Sequence, residues 1–166
     1  AMAPGSSVLF VTFCVQRGEF MDYDPAGFTI VGITDHTLED NVPLAETTAW
    51  LYFQFRTGGL AGYAGDATSA NALQAAIWVF QGYTLPTGML DDPNVLALYN
   101  LWTANALSAV HGGWENNGQV QVVNLEWATS RSGYEAGDPA QDVLTLVSVP
   151  EPGSLALLGI GLLGLG

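Results

Sequence analysis

The chain has 166 residues, enough for one compact domain and a tail, and a domain of that size can bury most of its apolar surface without a metal or a disulfide. Charged residues make up 11% and are nearly all acidic: the 16 Asp and Glu outweigh Arg17, Arg56 and Arg131, there is no lysine, and the formal net charge is -13. That balance excludes binding to phosphate backbones and argues equally against docking on anionic lipid headgroups.

Taken in chain order, Ser7 to Gln16 is rich in Val, Phe and Thr and predicts a strand. Phe28 to Ile33 predicts a second, bounded by Pro25-Ala26-Gly27 and by Asp35. Thr47 to Phe55 opens on hydroxyl residues and stops at Gly58-Gly59, the pattern of a short helix, although its aromatic content also suits a strand. A helix is expected from about Ser69 to Phe80, with Thr68 or Ser69 as cap and Gly82 as stop. Leu73, Ile77 and Phe80 follow helical spacing and face the core, with Gln74, Trp78 and Gln81 on the rim of that face.

A third helix is expected from Pro93 to about Ala109, capped by Asp91 or Asp92 with Pro93 in its first turn. Gln119 to Ala128 and Asp142 to Val149 predict two more strands. Strands at both ends with helices between them give an α+β fold: a β-sandwich or barrel-like sheet carrying an inserted helical subdomain. The globular body is expected over residues 1–148 and an apolar tail over 149–166. Ala1-Met2-Ala3-Pro4 is open to two readings, the remainder of a cleavage beside a small residue or an expression scar.

The tail begins Val149-Pro150-Glu151-Pro152-Gly153 and continues as an unbroken run of Leu, Ile, Ala, Gly and Ser. As a helix that run reaches only about 20 Å, short of a hydrocarbon core of about 30 Å. A final core helix is the plain reading, yet the run has no polar face to turn to water. The segment resembles the PEP-CTERM sorting signal of exported bacterial proteins, which an exosortase reads and processes. Pro150, Glu151 and Pro152 match its motif, while the apolar run is short and its basic cluster is missing. The resemblance implies export through a bacterial inner membrane, transient anchoring through the tail, and an extracellular or cell-surface destination.

Cys14 is the single cysteine, which in an exported chain poses a choice between an intermolecular disulfide, an inert core thiol and a reactive group. By itself, a cysteine between Phe13 and Val15 reads as a small core hydrophobe, and Gln74 before Ala75-Ala76-Ile77-Trp78 as a helix-rim amide. Together they allow other chemistry. A thiolate can attack a glutamine carboxamide, expel ammonia and leave a thioester, given close positioning and exclusion of water.

The pair resembles the thioester domains of bacterial surface adhesins, in which an aromatic-Cys-apolar strand motif is bonded to the glutamine of an apolar-Gln-x-Ala-apolar-Trp helix motif. Phe13-Cys14-Val15 and Leu73-Gln74-Ala75-Ala76-Ile77-Trp78 match these, in the same order and roughly sixty residues apart. The resemblance implies a β-sandwich with a helical subdomain and a Cys14–Gln74 bond; Trp78 or Phe13 is the aromatic lid expected to exclude water, and no cofactor or metal is expected, the sequence having no zinc spacing. It also implies covalent attachment, rather than enzymatic turnover, to an amine or hydroxyl on a surface. The alternative is a structural subunit of a filament, sheath or biofilm matrix, a homo-oligomer of sister subunits assembled through the tail, with Cys14 inert.

Other constellations are weaker. A Cys-His hydrolase requires His36 or His111 beside Cys14, and their spacing predicts no such contact. Asp35, His36, Glu39 and Asp40 offer oxygen ligands for calcium without an EF-hand-like loop.

Overall fold

The computed structural model describes residues 12–18, 27–130 and 133–147. The sorting motif at Pro150, Glu151 and Pro152, and the first part of the strand expected from Ser7, lie outside these residues. The element order is β1 (Phe28–Thr34), α1 (Glu46–Thr57), α2 (Ala67–Phe80), α3 (Pro93–His111), β2 (Val120–Trp127) and β3 (Pro139–Leu146). This is the α+β class, with all three helices inserted between the first strand and the second. Among the described residues the strands form one antiparallel sheet in the order β1-β2-β3.

The aromatic segment after Ala45 is a helix, and its end explains why. Gly58 adopts a left-handed conformation (φ 76°) and its N–H reaches the carbonyls of Gln54 and Phe55, closing the last turn in a conformation that suits glycine. α2 starts two residues earlier than the Thr68/Ser69 expectation. Asp66 is its cap: the carboxylate accepts from Ser69 N at 2.8 Å while the Ser69 hydroxyl reaches back to Asp66 N at 3.3 Å, a reciprocal capping box. Those bonds hold the Asp66 carboxyl below its ordinary range. α3 begins as its sequence predicts, with Asp92 accepting from Asn94 N and Pro93 in the first turn.

The main core lies between the helices and one face of the sheet. Leu51, Tyr52, Leu73, Ile77, Trp102, Val120, Val122 and Leu144 are fully buried in it. A smaller cluster of Val123, Leu125, Trp127, Ala140 and Val143 covers the opposite face, with Phe28 and Tyr134 against it. β1 is one edge of the sheet, and Ile30 and Ile33 on it are exposed.

Both ladders shift register around Asn124. Its carboxamide donates to His36 O and to Asp142 Oδ2 and accepts from the Thr34 hydroxyl at 2.8 Å. Gly32 lies against this amide, where a Cβ would meet Asn124 Oδ1 at 3.2 Å. Asp142 is fully buried and accepts from Leu38 N, Leu125 N and Asn124 Nδ2, so one carboxyl ties the loop after β1 to the two other strands. Burial pushes its carboxyl above the ordinary value against the opposing pull of those three donors.

Candidate functional site: the Cys14 edge and the α2 carboxamide

Residues 12–15 lie along the outer side of β3, at the end of the sheet away from β1. Leu144 N donates to Phe13 O at 3.2 Å, Val15 N donates to Asp142 O at 3.0 Å, and Cys14 bridges Val143 between them. The Thr12 hydroxyl adds a bond of 2.7 Å to Leu144 O. An antiparallel ladder alternates the direction of its backbone groups. Because Phe13 O and Val15 N turn toward β3, the N–H and C=O of Cys14 turn away from it and need partners elsewhere.

The partner is the side chain of Gln74. Cys14 N donates to Gln74 Oε1 at 3.1 Å, and Gln74 Nε2 donates to Cys14 O at 2.7 Å. One carboxamide therefore satisfies both outward groups of one residue, across 60 positions of sequence. This ring sets the carboxamide carbon opposite the Cys14 Cα, from which the thiol side chain departs. One helical turn later, Trp78 Nε1 donates to Gln16 O at 2.9 Å. Two side chains of α2 thus grip the same edge at alternate residues, as a neighbouring strand would. Gln141 Nε2 also donates to Gln16 O, at 2.8 Å.

Neighbouring side chains on a strand alternate faces, and the site follows that rule. Phe13 and Val15 are buried in the main core, with the Phe13 ring edge-on to Phe55 at 5.1 Å. Cys14 and Gln74 are half-buried, and so is Trp78. Burial is the cause that pushes the Cys14 thiol up to about 11 from 9.0, so the thiolate is scarce at neutral pH. Neither histidine supplies a base by hydrogen bonding to Cys14: the His36 ring is 2.8 Å from Asp35 Oδ1, and His111 lies in the last turn of α3. Among the described residues no group of three or more His, Cys, Asp and Glu is gathered to hold a metal, and no helix is long and apolar enough to cross a membrane.

The sequence reasoning brought together Cys14, Gln74 and Trp78, and the three meet on one strand edge. Gln16 and Gln141 were not singled out. The contribution of Gln16 is a backbone carbonyl, which no residue type advertises, and that of Gln141 depends on a contact 125 positions away. Gln81, expected on the helix rim, is instead buried, because its carboxamide accepts from Ala45 N at 2.8 Å and donates to Pro43 O at 3.3 Å.

Residues 148–166 match the model of the PEP-CTERM protein-sorting motif. The motif marks proteins exported across the inner membrane to the cell surface or the extracellular space, and the chain is an exported protein of that kind. No curated protein and no solved structure matches the chain.

Proposed function

We propose that the protein is an exported surface protein that attaches covalently to a nucleophile through a thioester between Cys14 and Gln74, acting once per molecule. The observation that carries the reading is the reciprocal pairing of the Gln74 carboxamide with the backbone of Cys14. Holding the reacting groups together replaces a bimolecular encounter by an internal one, the largest single aid available to a reaction with a weak nucleophile.

On this reading each polar atom has a role. The Cys14 sulfur attacks the Gln74 carboxamide carbon, and the developing oxyanion is the Oε1 that already accepts from Cys14 N at 3.1 Å. The carbon–nitrogen bond then breaks, and Nε2 leaves as ammonia, taking with it the proton that the thiol gives up. Trp78, bonded to Gln16 O, keeps α2 in register with the edge. A nucleophile on another surface later attacks the same carbon, the sulfur leaves as the thiol, and an amide or ester through residue 74 remains. No lysine is present to consume the bond within the chain or between sister chains.

A thiol held at about 11 with no base on it makes bond formation slow and strongly pH-dependent. Only the thiolate is nucleophilic, so the rate of ammonia loss from freshly refolded protein is expected to rise about tenfold per pH unit between about pH 7 and 10. A rate flat across that interval would place a general base on Cys14 and contradict this account. Attachment itself is tested by incubating the protein with methylamine and mapping the product. The expected product carries methylamine on residue 74 and, in the same molecule, a Cys14 that alkylates. Methylamine absent from residue 74 would defeat the proposal.

A further inference from the structure

On the thioester reading proposed above, on which this inference rests, water competes with every other nucleophile for the bond. In hydrolysis a water oxygen bonds to the acyl carbon of residue 74, and the carbon–sulfur bond breaks with its electron pair on sulfur. One proton of the water returns Cys14 to the thiol, and residue 74 is left as a glutamate. We infer that this spent chain carries a proton-controlled latch: the carboxyl at position 74 holds α2 to both backbone groups of Cys14 when protonated and lets go of the Cys14 carbonyl when ionised.

The carboxamide meets Cys14 with one acceptor and one donor on the same edge of its plane: Oε1 accepts from Cys14 N at 3.1 Å and Nε2 donates to Cys14 O at 2.7 Å. A carboxylic acid offers the same two groups on one edge, because its O–H lies syn to its carbonyl oxygen. It can therefore accept from Cys14 N and donate to Cys14 O. An ionised carboxylate has acceptors only. One oxygen keeps the bond to Cys14 N, and the other faces Cys14 O, acceptor against acceptor, in a half-buried site. The bond from Trp78 to Gln16 O is then the one side-chain donor that α2 still lends to the edge. A lost bond and two opposed oxygens favour the protonated form, by about ten- to a hundredfold in proton affinity over an ordinary glutamate. Other charges are held elsewhere. α2 has no ionisable side chain beyond its cap Asp66, more than two turns from Gln74. On the elements packed against it, Arg17 donates to Thr84 O, Arg56 donates to Tyr52, and Glu46 accepts from Asn116 N. Tyr99 and His111 lie on α3, and burial pushes the Cys14 thiol up to about 11, so it is uncharged at neutral pH. The two arginines favour the ionised carboxyl, the opposite direction from the latch.

The latch is tested in the full chain carrying Cys14→Ala, which keeps the backbone of residue 14 and forms no thioester, with and without Gln74→Glu. NMR follows the side-chain carboxyl carbon of residue 74 and the backbone carbonyl carbon of residue 14 from acid to neutral pH. The expected result is one shared midpoint, with a proton affinity about ten- to a hundredfold above that of the same carboxyl in urea-unfolded chain. Urea unfolding of the two chains gives the matching stability. A carboxyl whose folded affinity is raised contributes in full below its unfolded midpoint and loses that contribution as pH rises through the folded one. The two unfolding curves are therefore expected to lie closest in acid and to separate toward neutral pH, with the Gln74→Glu chain the weaker. If that chain is unfolded at neutral pH, refolding on mild acidification, where its parent is folded, supports the latch, and remaining unfolded there contradicts it. An unshifted midpoint, or a residue 14 carbonyl that does not follow it, overturns the latch and leaves the thioester standing. Failure of the thioester reading looks different: the unsubstituted chain never passes from an ammonia-deficient mass to the hydrolysed mass, position 74 has no route to glutamate, and both conclusions fall.

Discussion

Opening the bond between residues 14 and 74 with methylamine is expected to lower the stability of the protein by about 4 kcal/mol while leaving its fold intact. The thioester joins positions 60 apart in sequence, and a cross-link over a loop of that length removes about 4 kcal/mol of conformational freedom from the unfolded chain. The folded state gives up little in exchange: the amide formed with methylamine can still accept from Cys14 N, and only the bond to Cys14 O is displaced, by the methyl of the trans amide. Urea unfolding of the thioester form and the methylamine-opened form, side by side, measures the difference. The cross-linked form is also expected to show the smaller dependence on urea, since its unfolded state exposes less surface. Superimposed unfolding curves would mean that no covalent link constrains the unfolded chain.

Trp102→Ala carries the second large effect, an expected loss of about 3–5 kcal/mol. Trp102 is among the largest fully buried side chains, and its indole N–H donates to Ala61 O at 2.8 Å. It belongs to α3, which packs directly on α2 and so backs the helix that presents Gln74 to the strand edge. Truncation leaves a cavity in a close-packed interior, and the Ala61 carbonyl loses its donor as well. Trp102→Phe keeps most of the apolar volume and is expected to fall between the two. The series is best measured by urea unfolding in a Cys14→Ala background, so that no cross-link masks the difference. A loss under about 1 kcal/mol for the alanine variant would contradict the burial on which this core rests.

How much of this was legible in the sequence varied with how local each cause was. α3 was legible to within two residues at its end because Asp92-Pro93 is a complete local start signal. The cap of α2 was displaced because Asp66, Thr68 and Ser69 are all capping residue types, and the choice lies in the extended backbone at Asp66. β3 starts at Pro139, before the expected Asp142, so the aspartate lies buried inside the strand and not at its start. What makes it tolerable inside a strand is a donor from Leu38, 104 positions away. Gln81 went to the wrong environment for the same reason: its partners are on a distant loop.

The pairing at the site was legible for a different reason. Phe13 and Val15 flank Cys14 with apolar side chains that the core takes up, which turns the cysteine the other way. Gln74 and Trp78 stand one helical turn apart, so both reach the same edge. Sequence alone placed Gln74 and Cys14 together only through resemblance to a family pattern. The backbone direction at Cys14, which makes a carboxamide the fitting partner, is visible only once the strand is seated against Asp142 and Leu144.

The central claim is that the Gln74 carboxamide does more than close a strand edge, and intact mass of the freshly purified chain tests it without any added reagent. The expected result is a chain lighter than its sequence by the mass of one ammonia, unreactive to thiol alkylation, with Cys14→Ala at its full calculated mass. A chain at full mass whose Cys14 alkylates after denaturation, from preparations never exposed to amines and across the pH range in which the thiolate forms, would contradict it. Gln74 would then be a structural amide that stands in for a missing strand.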